Sequence, residues 1–89
     1  MLNAVSSGRF KKDLKQCLKR GYKLKLLEAV INTLRIPAPL EDKHHPHSLT
    51  GDYSGYFECH ITPDWLLIYK QTDKELLLAR TGTHSDLFR

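Results

Sequence analysis

Cysteine is scarce in this 89-residue chain: Cys17 and Cys59 are the only two, and their separation matches no C-x-x-C metal or redox pair. Both are expected to serve as small buried hydrophobes. Long apolar runs are missing as well, and no stretch approaches the roughly 20 residues that a membrane span requires. Residues 1–21 interleave basic and apolar side chains, which is unlike a signal peptide, so a cytoplasmic protein without a membrane partner is expected. Internal repeats and low-complexity segments are absent, and the length leaves room for a single domain over residues 1–89 with one sheet and a modest core. Acidic residues are nearly absent from the first 26 positions. Eight Lys and Arg stand there against Asp13 alone, giving +7 in a chain of net charge +4 and leaving −3 for the rest. That asymmetry points to a basic face for phosphate or an acidic partner.

What is present divides by period. Residues 2–5 are a short apolar stretch, expected as a strand, and Ser6-Ser7-Gly8 follows as a turn and cap. Phe10, Leu14, Cys17 and Leu18 then recur at helical spacing up to Gly21, a C′ residue. A second stripe of Leu24, Leu27, Val30, Ile31 and Leu34 ends at Pro37 and Pro39. The two helices form a hairpin with one face to bury, which calls for a sheet. Residues 37–52 are rich in Pro, His and turn formers and read as a loop. Beyond them the period becomes two over residues 53–61: Phe57, Cys59 and Ile61 share one face, with Tyr56, Glu58 and His60 on the other. Thr62-Pro63-Asp64 reverses the chain, residues 65–69 form an apolar run expected of a strand covered on both faces, and residues 75–81 supply another strand after the turn at 72–74. The expected class is α+β: a strand, a two-helix hairpin, a three-strand antiparallel meander and a C-terminal tail from Thr83.

Histidine is concentrated where this topology converges. His44, His45 and His47 precede the meander, His60 stands at its first reversal, and His84 follows its last strand. In a meander the end of the first strand, the start of the second and the end of the third share one end of the sheet, bringing His60, Asp64 and His84 together. Two imidazoles can offer a neutral base and a protonated acid at once, and Asp64 can hold one ring in its tautomer. Zinc ligation is a competing reading, but no HExxH or H-x₃₋₅-H pair is present, and no metal or other cofactor is expected. With a basic helix nearby, metal-free cleavage of an RNA phosphodiester fits. Arg80 is then the cation for the phosphate, and Trp65 and Phe88 are candidate surfaces for stacking bases. For Trp65 a core position is the competing expectation.

Three strings carry a family resemblance: His47-x-Leu49-x-Gly51; Gly55-Tyr56-x-Glu58-x-His60-Ile61-x-Pro63-Asp64-Trp65-Leu66-Leu67-Ile68-Tyr69; and Arg80-Thr81-Gly82-Thr83-His84-x-x-Leu87-Phe88. In this order and spacing, together with Phe10-Lys11-Lys12-Asp13-Leu14-Lys15, the chain resembles the YafQ branch of the RelE/ParE superfamily of bacterial toxins over nearly its whole length. The resemblance implies a RelE-like fold and an endoribonuclease toxin, an mRNA interferase that cuts mRNA on the translating ribosome and inhibits translation. It also implies a small acidic antitoxin that holds the toxin inactive. By matched position, His47, His60, Asp64 and His84 form the acid–base group, with His84 the proton donor and His60 or His47 the base, and Trp65 and Phe88 line the substrate site. Phe57 departs from the family's usual arginine. A toxin-fold module that binds antitoxin, ribosome or RNA without efficient cleavage is therefore the alternative reading. The gyrase-directed toxins on the same fold lack this histidine set.

Overall fold

Ser7 starts the first helix by taking an extended backbone conformation and accepting a hydrogen bond from the Phe10 amide through its hydroxyl. In the computed structural model, which describes residues 1–36 and 47–88, this helix is α1, Gly8–Lys19. Phe10 and Cys17 are buried and Leu14 is partly so, whereas Leu18, at the margin of the stripe, is 40% exposed. Gly21, at φ 88°, ends the helix: its amide reaches the Leu18 carbonyl and the Tyr22 amide reaches that of Cys17. These two bonds are the Schellman pattern, which requires a left-handed residue at C′. α2 follows at Leu24–Leu34 and buries Leu27, Val30 and Leu34. Its final carbonyl, that of Leu34, accepts from the Gln71 side chain at 2.7 Å, which ties the end of the hairpin to the sheet.

The strands are β1 Asn3–Ser6, β2 His47–Ser48, β3 Phe57–Thr62, β4 Trp65–Gln71 and β5 Glu75–Gly82, and α3 is His84–Phe88. They form one sheet in the order β1-β5-β4-β3-β2; β1 runs parallel to β5 and every other pairing is antiparallel. The strand, hairpin and meander therefore follow the expected order, but β3 begins at Phe57 rather than at Tyr53, because Gly51–Tyr53 forms a 3₁₀ turn whose Tyr53 carbonyl accepts from the Tyr56 amide. Two further elements differ from the expectation. His47–Ser48 pairs with Glu58 and Phe57 as a fifth strand inside the span read as a loop, and the expected tail is helical from His84. Neither is long enough to show a period. His44 and His45 lie outside the described residues.

β4 is central, and residues 65–69 are buried on both sides. On one face Trp65, Leu67 and Tyr69 pack with Cys59, Ile61, Leu76 and Leu78 under the helical hairpin. On the other, Leu66 and Ile68 lie beneath Leu87 of α3, with Leu49, Tyr53 and Tyr56 around them. Two bulges interrupt the registers. Ile61 is the extra residue where His60 pairs with Leu66 and Thr62 with Trp65, and Ala79 is the extra residue where Arg80 pairs with Ile68 and Leu78 with Tyr69. A bulge bends its strand and re-aims the flanking side chains. Among the described residues no helix is long and apolar enough to cross a membrane.

Candidate active site

Directly opposed residues of an antiparallel pair point to the same face. His60, Leu66 and Gly82 form one such row across β3, β4 and β5, and His47, Glu58, Ile68 and Arg80 form the next across β2 to β5. Leu66 and Ile68 belong to the face under α3, so both histidine positions lie on that face, away from the helical hairpin. His84 follows two residues after Gly82, at the first position of α3. The meander thus brings His60, Asp64 and His84 to one sheet end, as its topology requires, and β2 places His47 one row further along.

Each group is held differently. The Nδ1 of His60 lies 3.3 Å from the carbonyl oxygen of Pro63, a contact in which the ring nitrogen is the donor, since a carbonyl can only accept. Asp64 is exposed at the turn between β3 and β4. His47 is exposed, and its Nε2 meets a Glu58 carboxylate oxygen at 2.7 Å. Glu58 itself is only 4% exposed, a buried carboxylate whose described partner is this imidazole. Sequence reasoning left Glu58 out of the site, although its place on the His60 face two residues upstream was the available signal. His84 is exposed, with its ring 5.2 Å from that of Phe88 one helical turn on. Phe88 is 38% exposed and meets Tyr53 edge-on at 6.3 Å. Its free surface remains open to a base.

Two residues expected to contact substrate have partners within the chain. Trp65 is 2% exposed on the hairpin face, with its ring 5.0 Å from Tyr22 and its Nε1 donating to the Thr81 hydroxyl at 2.8 Å, so no ring face remains on which a base can stack. Arg80 is also engaged. Its Nε and Nη2 donate to the two carboxylate oxygens of Asp13 at 2.6 and 3.3 Å, and its Nη1 donates to the Tyr53 hydroxyl at 3.1 Å. Asp13 neutralises the guanidinium, and its hydrogen bonds push the Arg80 pKa up. The reason lies in the sheet edge. β1 pairs with β5 only as far as Leu78, leaving the last part of β5 to α1: the Ser7 hydroxyl donates to the Ala79 carbonyl at 2.8 Å, and the Thr81 amide donates to Asp13. Arg80 thus helps close this edge through Asp13. The basic helices, in turn, cover the face opposite the histidine row instead of lining it.

Phe57 stacks on Tyr69 at 6.1 Å, and Tyr69 belongs to the hairpin-face core. The residue that departs from the family pattern therefore stands on the side of the sheet away from Glu58 and His60. Both cysteines are buried, Cys17 at 1% and Cys59 at 0% exposure; burial pushes the Cys59 thiol up to about 12 and raises that of Cys17, so neither supplies a thiolate nucleophile at neutral pH. Among the described residues no group of three or more His, Cys, Asp or Glu is arranged to hold a metal ion.

Comparison with known proteins matches this arrangement. The mRNA interferase toxin YafQ of Escherichia coli K12 is 47% identical over 87 residues, covering 92% of this chain and 90% of that protein. The crystal structure of YafQ from E. coli BL21(DE3) superposes with a TM-score of 0.92 at 38% identity, covering both chains completely. A second crystal structure, the E. coli DinJ-YafQ toxin-antitoxin complex, matches with a TM-score of 0.90 at 39% identity over 99% of this chain and 98% of that one. The family model described as the bacterial toxin of type II toxin-antitoxin system, YafQ, matches residues 2–89, and the chain belongs to that family.

Proposed function

We propose that this chain is an mRNA interferase, an endoribonuclease toxin that cuts mRNA on the ribosome by metal-free acid–base catalysis and is held inactive by a small acidic antitoxin. The observation that carries the reading is the shared face of His47, His60 and the α3 segment bearing His84. In the reaction, the His60 imidazole removes the proton of the 2′-hydroxyl, which attacks the adjacent phosphorus. His84 protonates the departing 5′-oxygen. Asp64, at the reversal beside His60, steadies the imidazole that becomes charged. His47, anchored by Glu58, lies along the substrate path beside His60 and is the second candidate for the base. Phe88 stacks on a base next to the cleaved bond. Arg80 acts indirectly, by fixing Tyr53 against which Phe88 packs.

The identity to a named mRNA interferase supports the substrate class, and the DinJ-YafQ complex supports neutralisation by a dedicated partner. The +7 on the N-terminal segment suits an acidic one. The test is cleavage of a reporter mRNA in a translation extract, mapped by primer extension, for the wild type and for His84→Ala, His60→Ala and His47→Ala. His84→Ala is expected to lower the cleavage rate by about 10²- to 10⁴-fold, the usual contribution of a positioned acid or base. An unchanged rate removes His84 from the donor role. Protein stripped with chelator and desalted before assay is expected to cleave at the untreated rate; loss that added divalent metal restores overturns the metal-free mechanism.

A further inference from the structure

α3 is too short to be stable alone, since one turn of helix cannot repay its nucleation. Its fold is imposed by neighbours. Thr83 and Asp86 form a capping box: the Thr83 amide donates to Asp86 Oδ2 at 2.9 Å, and the Asp86 amide donates to the Thr83 hydroxyl at 3.1 Å. The same carboxylate takes a fork from Arg20, whose Nη1 and Nη2 donate to Oδ2 and Oδ1 at 2.6 and 3.2 Å. Arg20 is the C-cap of α1, held in place by the Gly21 turn described above. Gly82 leaves room for the arrangement, because a Cβ there would stand 2.9 Å from Asp86 Oδ2. The pair also walls a cleft shared with Asp13, Gln16, Arg80, Thr81 and Ser85, so the two α1 ion pairs lie side by side. Arg20 and Asp86 lie in neither histidine row, and neither is among the residues given a part in the reaction.

We infer that Arg20 and Asp86 are positioning residues for His84: the fork from the end of α1 fixes the register of α3, and α3 carries both the acid and Phe88. This rests on the reading of His84 as the acid. Through-space repulsion or attraction is not required, only geometry, and a displacement of about 1 Å at a reacting group costs up to about 10²-fold in rate. An exposed ion pair constrains only in part, so the expected loss is smaller, about tenfold.

The experiment measures single-turnover cleavage of the reporter mRNA at varied toxin concentration for Arg20→Ala, Arg20→Lys and Asp86→Asn, each also in the His84→Ala background, with melting followed by circular dichroism. Arg20→Ala is expected to lower the limiting rate about tenfold with the half-saturating concentration and melting temperature little changed. Arg20→Lys, which keeps the charge but cannot form the two-nitrogen fork, recovers little of the loss. In the His84→Ala background Arg20→Ala has no further effect, as two changes acting through one group are not additive. The inference is overturned if Arg20→Ala leaves the limiting rate unchanged, if its loss falls on half-saturation, or if the loss adds in full to that of His84→Ala. Failure of His84→Ala to slow cleavage is a separate outcome: it removes the acid assignment on which the inference rests, whatever Arg20 does.

Discussion

Trp65 uses both its ring and its N–H inside the molecule, and Arg80 commits three of its donors to Asp13 and Tyr53. Both residues belong to motif strings that a family resemblance links to RNA cleavage, and both also have partners that tie them into the frame. Trp65→Phe is expected to cost about 1–2 kcal/mol, from the lost hydrogen bond to Thr81 and the smaller ring, while the folded variant cleaves at the wild-type rate. Urea unfolding together with the reporter assay checks this. A cleavage defect out of proportion to the unfolded fraction would return Trp65 to the substrate site. The placement of His60 and His84 was legible in the sequence because meander topology alone brings their backbone positions together, whereas that of His47 was not, because it rests on the two-residue β2. The fates of Trp65 and Arg80 were not, because they depend on which helix residue stands opposite, and Asp13 lies 67 positions from Arg80.

At the scale of elements, period decided what could be read. α1, α2, β3, β4 and β5 each run long enough to show alternation or a helical stripe, and each lies where that pattern places it except that β3 starts four residues late, at Phe57. β2 has two residues and α3 has five, so their conformations come from the surfaces they meet. For α3 that surface is Leu66 and Ile68, covered by Leu87 at 8% exposure. Leu87→Ala is expected to cost about 2 kcal/mol or more and to speed amide exchange throughout α3, including the Leu87 amide that donates to the Thr83 carbonyl at 3.2 Å. Exchange in β4 slows or quickens only with global stability. Unaltered α3 exchange would mean that Arg20 and the capping box hold this turn without its apolar anchor.

For the whole molecule, the hairpin-face core contains acids kept neutral by burial. Cys59 is pushed up to about 12 from 9.0, by burial first and the Glu58 charge second, and Tyr69 to about 12 from 10.0, again chiefly by burial. In both cases the folded protein holds its proton where the unfolded chain releases it. The stabilisation is therefore complete below the unfolded values and is lost as pH rises through them toward the folded ones. Urea unfolding is expected to show stability falling by about 2 kcal/mol between about pH 8 and about pH 10, with a shallower fall in Cys59→Ala. A flat profile would contradict the burial of these groups. The pairing of β1 with β5 has a different consequence, in time rather than in energy. Residues 3–6 find their partners only at residues 75–78, so the first strand to be synthesised waits for the last. A growing chain leaves the ribosome N-terminus first and cannot complete this sheet, or dock α3 against it, until residues 75–88 have emerged as well.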